Sequence, residues 1–284
     1  VDAMATVSTV DELKASQEDV IVLSCNMIAT STVFVAVNTS FSSDSGKFSI
    51  DGDDLTQIMV VTGGDVLIED IVMQRGVSSG SGGALTVLGG GVELIRCVFK
   101  ANRADTGGAI YASRSTLVIT DTVFTANSAR DGGAVYVAEA ALSIVDCFFE
   151  MNRADHDGGA VVARTSNAAI ERSTLVSNAA VGAGGAVIAC ASSLLVATDS
   201  TFRGNKAVSP EPAIIAKGGA IAGSESKLFL KRSRFDANSA EQGGAISNVL
   251  CTMSTSGLKI KKNTAHLGGG VSMQQGDWSD VGSG

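Results

Sequence analysis

Apolar and polar residues alternate in short runs along most of this chain. From Gly132 to Asp157 the sequence reads GGAVYVAEAALSIVDCFFEMNRADHD, which sets Val135 and Val137 on one face, then Leu142 and Ile144, then Cys147 and Phe149. A period of two marks strands. Three such runs, parted by bends, make three short strands before the pattern starts again.

The recurrence is regular enough to count. Gly-Gly pairs open at Gly82, Gly107, Gly132, Gly158, Gly184, Gly218, Gly243 and Gly268, spaced 25, 25, 26, 26, 34, 25 and 25 residues apart. Asn102, Asn127, Asn152, Asn178, Asn205, Asn238 and Asn263 keep the same phase, each with Ala two places later. Phe99, Phe124, Phe149, Phe202 and Phe235 lie three places before five of them, with Leu175 and Ile260 in the other two copies.

Three strands returning every 25 residues or so predict an all-β chain, a right-handed parallel β-helix solenoid of about ten coils. The period is short for helix-bearing solenoids, and leucine-rich spacing is absent. The core columns can be read off directly. One runs Leu85, Ile110, Val135, Val161, Val187, Ile221, Ile246; a second Val92, Leu117, Leu142, Ala168, Leu195, Leu228; a third Leu94, Ile119, Ile144, Ile170, Ala197, Leu230. Phenylalanine closes the last wall. The asparagines are expected at a bend after the third strand, in a conformation that Asn tolerates, bonded to one another as a ladder. The alanine two later fits a crowded corner, and the glycines serve a turn with positive φ or a close backbone approach.

The whole chain, 1–284, reads as one domain: a cap over 1–18, irregular coils over 19–81 and regular coils over 82–284. STVDELKAS predicts a short capping helix with Thr9 and Glu12 as its capping box. An open coil edge at the far end would expose unpaired backbone, so further coils or a partner are expected there.

Composition narrows the function classes. Net charge is −8, against a nucleic-acid footprint, and no apolar run reaches the length of a transmembrane helix. The opening VDAMATVSTV holds no targeting segment, so an extracellular or surface location, with an organelle lumen as the alternative, is an indirect expectation.

The repeats, seen as GGAIYASRSTLVITDTVFTANSA and GGAISNVL, resemble those of the polymorphic outer membrane proteins of chlamydiae and of the wider right-handed β-helix group with pectate-lyase-like architecture. The resemblance spans roughly Gly82 to Gly270. It implies a secreted or surface-displayed passenger domain acting in adhesion. It departs from the chlamydial pattern in that no β-barrel segment follows WSDVGSG.

The same architecture hosts polysaccharide lyases and glycosidases, whose chemistry needs carboxylate pairs or acid clusters. The best candidate is the turn before Gly-Gly, where Asp105, Arg130, Asp131, Asp155, His156 and Asp157 fall on three consecutive coils. Asp131 and Asp157 share one phase, and Asp105, Arg130 and His156 the next. Solvated turns are rich in such residues. The two histidines, His156 and His266, are four coils apart and cannot share a metal. The reading therefore assigns no catalytic residue, no metal ligand and no cofactor. A second charged column, Arg96, Asp121, Asp146, Arg172, Asp199 and Arg232, reads as exposed ion pairs that control register. Of the five cysteines, Cys97 and Cys147 share an inward phase with Thr122, Ser173, Ser200 and Ser233, but lie two coils, roughly 9.6 Å, apart. That is beyond disulfide reach. Cys25, Cys190 and Cys251 show no pairing or zinc spacing.

The expectation is a non-catalytic structural or adhesive β-helix that contacts other proteins or copies of itself, with no nucleic acid. Alternatives are a carbohydrate-active enzyme or glycan-binding module, and a scaffold subunit of a larger complex. The position two after Gly-Gly-Ala should face outward, and its middle is apolar: Tyr111, Tyr136, Val162 and Ile188. The long repeat inserts VSPEPAIIAK, with Pro210, Pro212, Ile214 and Ile215. Stripe and loop together form the expected partner surface.

Overall fold

The computed structural model describes residues 4–7, 9–15, 19–43, 47–211 and 215–280. The described residues wind into about ten turns of a parallel β-solenoid, as the sequence predicts. Each coil contributes one strand to each of three long sheets. A 12-stranded sheet runs from Met4–Val7 to Asp277–Asp280, and two 10-stranded sheets carry the Gly-Gly strands and the phenylalanine strands. Every pairing is parallel and in register, for example Leu117 with Leu142 and Ile119 with Ile144. A fourth, short sheet was not anticipated: Ser128–Ala129, Arg153–Ala154, Ala179–Ala180 and Lys206–Ala207 pair just after the asparagines. The buried alanines of that segment, Ala154 and Ala207 among them, let adjacent coils approach closely enough to pair.

The core columns fall where the alternation puts them. Leu85, Ile110, Val135, Val161, Val187, Ile221 and Ile246 are all fully buried. Phe99 stacks on Phe124 at 4.9 Å, Phe124 on Phe149 at 4.5 Å and Phe202 on Phe235 at 4.9 Å. These distances match the strand spacing that stacking of identical coils imposes.

Polar columns hold the corners. Asn127 Nδ2 donates to the Phe99 carbonyl (3.0 Å) and to Asn152 Oδ1 (2.9 Å), while its Oδ1 accepts from the Asn102 amide and Asn102 Nδ2 (both 3.0 Å). The pattern repeats from Asn102 to Asn263. The left-handed residue at this bend is the one before each asparagine, not the asparagine itself: Ala101, Ala126, Met151, Ser177 and Ala237 have φ of 52–54°. The asparagine is therefore selected for its amide rather than for conformational tolerance. Cys97, Thr122, Cys147, Ser173, Ser200 and Ser233 also form hydrogen-bonded rungs, as in Cys147 N–H to Ser173 Oγ at 3.0 Å. A second such series, Ser166, Ser193, Ser226 and Cys251, lines another corner.

The two glycines of each pair answer different constraints. Gly107 has φ +62°, and a Cβ there would lie 2.1 Å from the Ile110 carbonyl oxygen. Gly108 has no such φ, but a Cβ on it would meet the Gly133 carbonyl oxygen of the next coil at 2.2 Å. One turns the chain; the other lets coils stack.

At the amino-terminal end, the helix Val10–Ala15 begins with the Glu12 amide donating to Thr9 Oγ1 at 3.1 Å, and Leu13 is buried in the core. Ahead of it, Met4–Val7 adds an unforeseen strand that pairs with Val20–Leu23. Among the described residues no helix is long and apolar enough to cross a membrane.

Candidate functional site

The charged column before the phenylalanine strands is paired, among the described residues, at every member but Asp121. Arg96 grips Asp70, Arg172 grips Asp146, and Arg232 grips Asp199, each arginine reaching back one coil. These arginines hold the three aspartates below the usual carboxylate range, chiefly through their hydrogen bonds. The pairs are exposed, so solvent and salt screen them and they fix register more than they stabilise.

The outer face of the Gly-Gly sheet is different. The left-handed first glycine folds the preceding turn back over its own strand, so that Thr86 Oγ1, for instance, donates to the Ser81 carbonyl at 2.8 Å. Strand and turn then form a groove rather than a flat wall. This corrects the expectation of an exposed apolar stripe: Val162 is 3% and Ile188 5% exposed, packed with Ala222 under Ala183 and Tyr136. Both point away from the core, yet the folded-back turn covers them. Tyr111 and Tyr136 are half-buried and stack at 5.7 Å with 21° between rings.

Around the tyrosines lies a concavity of about 440 Å³ lined by Ser81, Thr106, Ala138, Glu139, Arg164 and Thr165. Burial pushes the Tyr136 phenol above its ordinary range, against the opposing pull of the nearby Arg164 guanidinium. Glu139 and Arg164 lie outside the expected set. The signal for Arg164 was available: Ala138, Arg164 and Cys190 share the next outward position of the strand. A larger hollow of about 630 Å³ covers the 12-stranded sheet between Asp19 and Val118, and an apolar one of about 240 Å³ continues past Ala169 to Val196. These are open strand faces, with no stacked aromatic pair among their described lining residues, and the tyrosine groove is the better built site.

Pro210 and Ile215 are exposed, the latter by 50%, on the insertion that leaves the same corner of the coil; Pro212 and Ile214 lie outside the described residues.

In the turns before the Gly-Gly strands the charged residues separate. Asp155 faces solvent and pairs with Arg153, and Arg130 lies 3.7 Å from Asp131. Asp131, His156 and Asp157 converge: His156 Nδ1 is 2.8 Å from Asp131 Oδ1 and 3.4 Å from Asp157 Oδ2. Asp157 is held from behind by the Ala183 amide at 2.6 Å. Burial raises its pKa, with that amide and His156 acting in opposition. Asp105 is exposed and stands apart from the three.

Cys97, Cys147, Cys190 and Cys251 are free thiols. Burial pushes Cys97 to about 11 and Cys147 to about 12, so both are inert thiols in the corner rungs.

The family model described as right handed beta helix region matches residues 27–226. No curated protein matches the chain.

Proposed function

We infer that this chain, which belongs to the right-handed β-helix family, works as a non-catalytic structural or adhesive rod at a cell surface or outside the cell, contacting other proteins through the groove of its Gly-Gly sheet. The observation that carries this reading is the pair of stacked tyrosines, Tyr111 and Tyr136, half-exposed in a groove beside Arg164 and Glu139. Tyrosine and arginine are the residue types that dominate protein contacts, because they bury large area and keep a polar end satisfied. The exposed Pro210 and Ile215 extend the surface from the adjoining corner. Val162 and Ile188 serve as its floor. The GGA[IVL] and FxxN repeat supports a kinship with the chlamydial polymorphic outer membrane proteins, whose passenger domains suggest adhesion.

A second reading, a glycan held in the groove, is favoured by the same tyrosine stack, since sugar rings pack on aromatic faces. The test runs both arms. Sedimentation of the parent and of Tyr111→Ser/Tyr136→Ser measures self-association, and a panel of acidic and neutral polysaccharides, with and without calcium, is screened for binding and cleavage. Tyrosine-dependent self-association supports the protein-contact reading. Binding of a polysaccharide without cleavage transfers the groove to a glycan, and release of cleaved products overturns the non-catalytic assignment.

A further inference from the structure

We propose that Asp131, His156 and Asp157 bind a divalent metal ion of the zinc class. The proposal is independent of what occupies the groove. The three side chains come from two successive coils, and their ligand atoms all lie within 4.8 Å of one another. Zinc bonds to imidazole nitrogen and carboxylate oxygen are about 2.0–2.2 Å, so neighbouring ligands on one ion sit about 2.9 Å apart at right angles and about 3.4 Å apart in a tetrahedron. The His156 Nδ1 distances of 2.8 Å to Asp131 and 3.4 Å to Asp157 span that range. An ion could replace the Nδ1 proton with small side-chain movements, the imidazole keeping its proton on Nε2.

Two further features orient the site. The Ala183 amide engages Asp157 Oδ1, leaving Oδ2 toward His156, and the Asp157 amide engages Asp131 Oδ1 at 3.2 Å, so the coil stacking itself fixes both carboxylates. Outer contacts of this kind position metal ligands. The column Asp105, Arg130, His156 continues to Gly182, whose amide donates to the His156 carbonyl. A Cβ on Gly182 would lie 2.5 Å from Asp157 Oδ1 and 3.2 Å from the His156 carbonyl oxygen. Glycine at that one coil keeps the carboxylate approachable, and His156, with its side chain 54% exposed, opens the site to solvent.

The donor set decides the ion. Calcium takes six to eight oxygens at longer bonds, whereas a nitrogen with two carboxylates suits zinc or a neighbouring transition ion, with water completing the shell.

The experiment titrates the intact chain with zinc chloride, with and without excess calcium, and follows the two histidine ring signals by NMR as cobalt(II) is added. Expected are one zinc equivalent that calcium does not displace, selective perturbation of His156 over His266, and affinity at least about tenfold weaker in His156→Ala and Asp131→Asn. His266→Ala should bind as the parent does. Unchanged zinc affinity in His156→Ala would locate the ion elsewhere, for example on the free thiols, and would overturn the proposal. So would the absence of saturable zinc binding, displacement by calcium, or cobalt perturbing His266 in preference to His156. The NMR arm uses the parent chain and holds even if a variant folds poorly.

Discussion

Asn127→Ala tests the physical account of the corner most directly. The Asn127 side chain takes part in four hydrogen bonds, all in a fully buried position. Two of the groups it serves keep another partner: Asn152 Oδ1 retains the residue 127 amide, and Asn102 Nδ2 retains the Met73 carbonyl. The Phe99 carbonyl likewise stays in the strand ladder with Val123–Thr125, so the Asn102 amide is the group left without its partner. A buried polar group left unsatisfied costs about 1–3 kcal/mol, and the substitution should destabilise by about that much. Asn127→Asp should be worse than alanine. A carboxylate can accept from Asn102 but cannot donate to Phe99 or Asn152, and it places a charge inside the coil. Urea unfolding gives the global value. Amide exchange shows whether the coils around residues 102–152 open first, as nearest-neighbour stability in a solenoid requires. A loss below about 0.5 kcal/mol, the range of ordinary surface substitutions, would refute the reasoning.

Ala126→Gly should stabilise: Ala126 is exposed with φ +54°, strain of about 1–2 kcal/mol that glycine relieves, less the entropy it adds to the unfolded chain. A net gain of about 0.5–1 kcal/mol, read as a higher unfolding midpoint, is expected, and a lower midpoint would count against it. Acid should destabilise only below about pH 4. Burial alone would raise Asp51, but Arg75, Gln74 and the Asp53 amide outweigh it and hold its pKa below the ordinary value. Asp70, Asp146 and Asp199 are lowered too. Such depressed carboxylates contribute above their unfolded pKa, and the contribution is lost as pH falls through the folded one. A denaturation midpoint that drops between pH 7 and 5 would contradict this, and Asp51→Asn should flatten the acid limb. Finally, Cys97 and Cys147 should resist thiol reagents at pH 8 until the chain unfolds, checked by mass spectrometry of labelled peptides; rapid native labelling would show that the corner rungs open.

Much of this molecule is legible in one dimension because it is a stack of one unit. With in-register coils a strand spacing apart, a phase in the repeat becomes a column in space, and period-two alternation says which columns are inside. The asparagine ladder, the phenylalanine wall and the aliphatic columns follow from that alone. So does the phase relation of Asp131, Asp157 and His156. What the repeat could not decide is the path of the backbone between strands. Whether an outward side chain meets water depends on the turn beside it, and the left-handed glycine folds that turn over Val162 and Ile188 while leaving Tyr111 and Tyr136 half open. Likewise, shared phase places two aspartates one above the other, but only the lean of His156 toward the preceding coil brings its nitrogen between them. Columns depend on chain distance, which sequence records; grooves and ligand sets depend on the angles at which turns leave the strands, which only the folded backbone fixes.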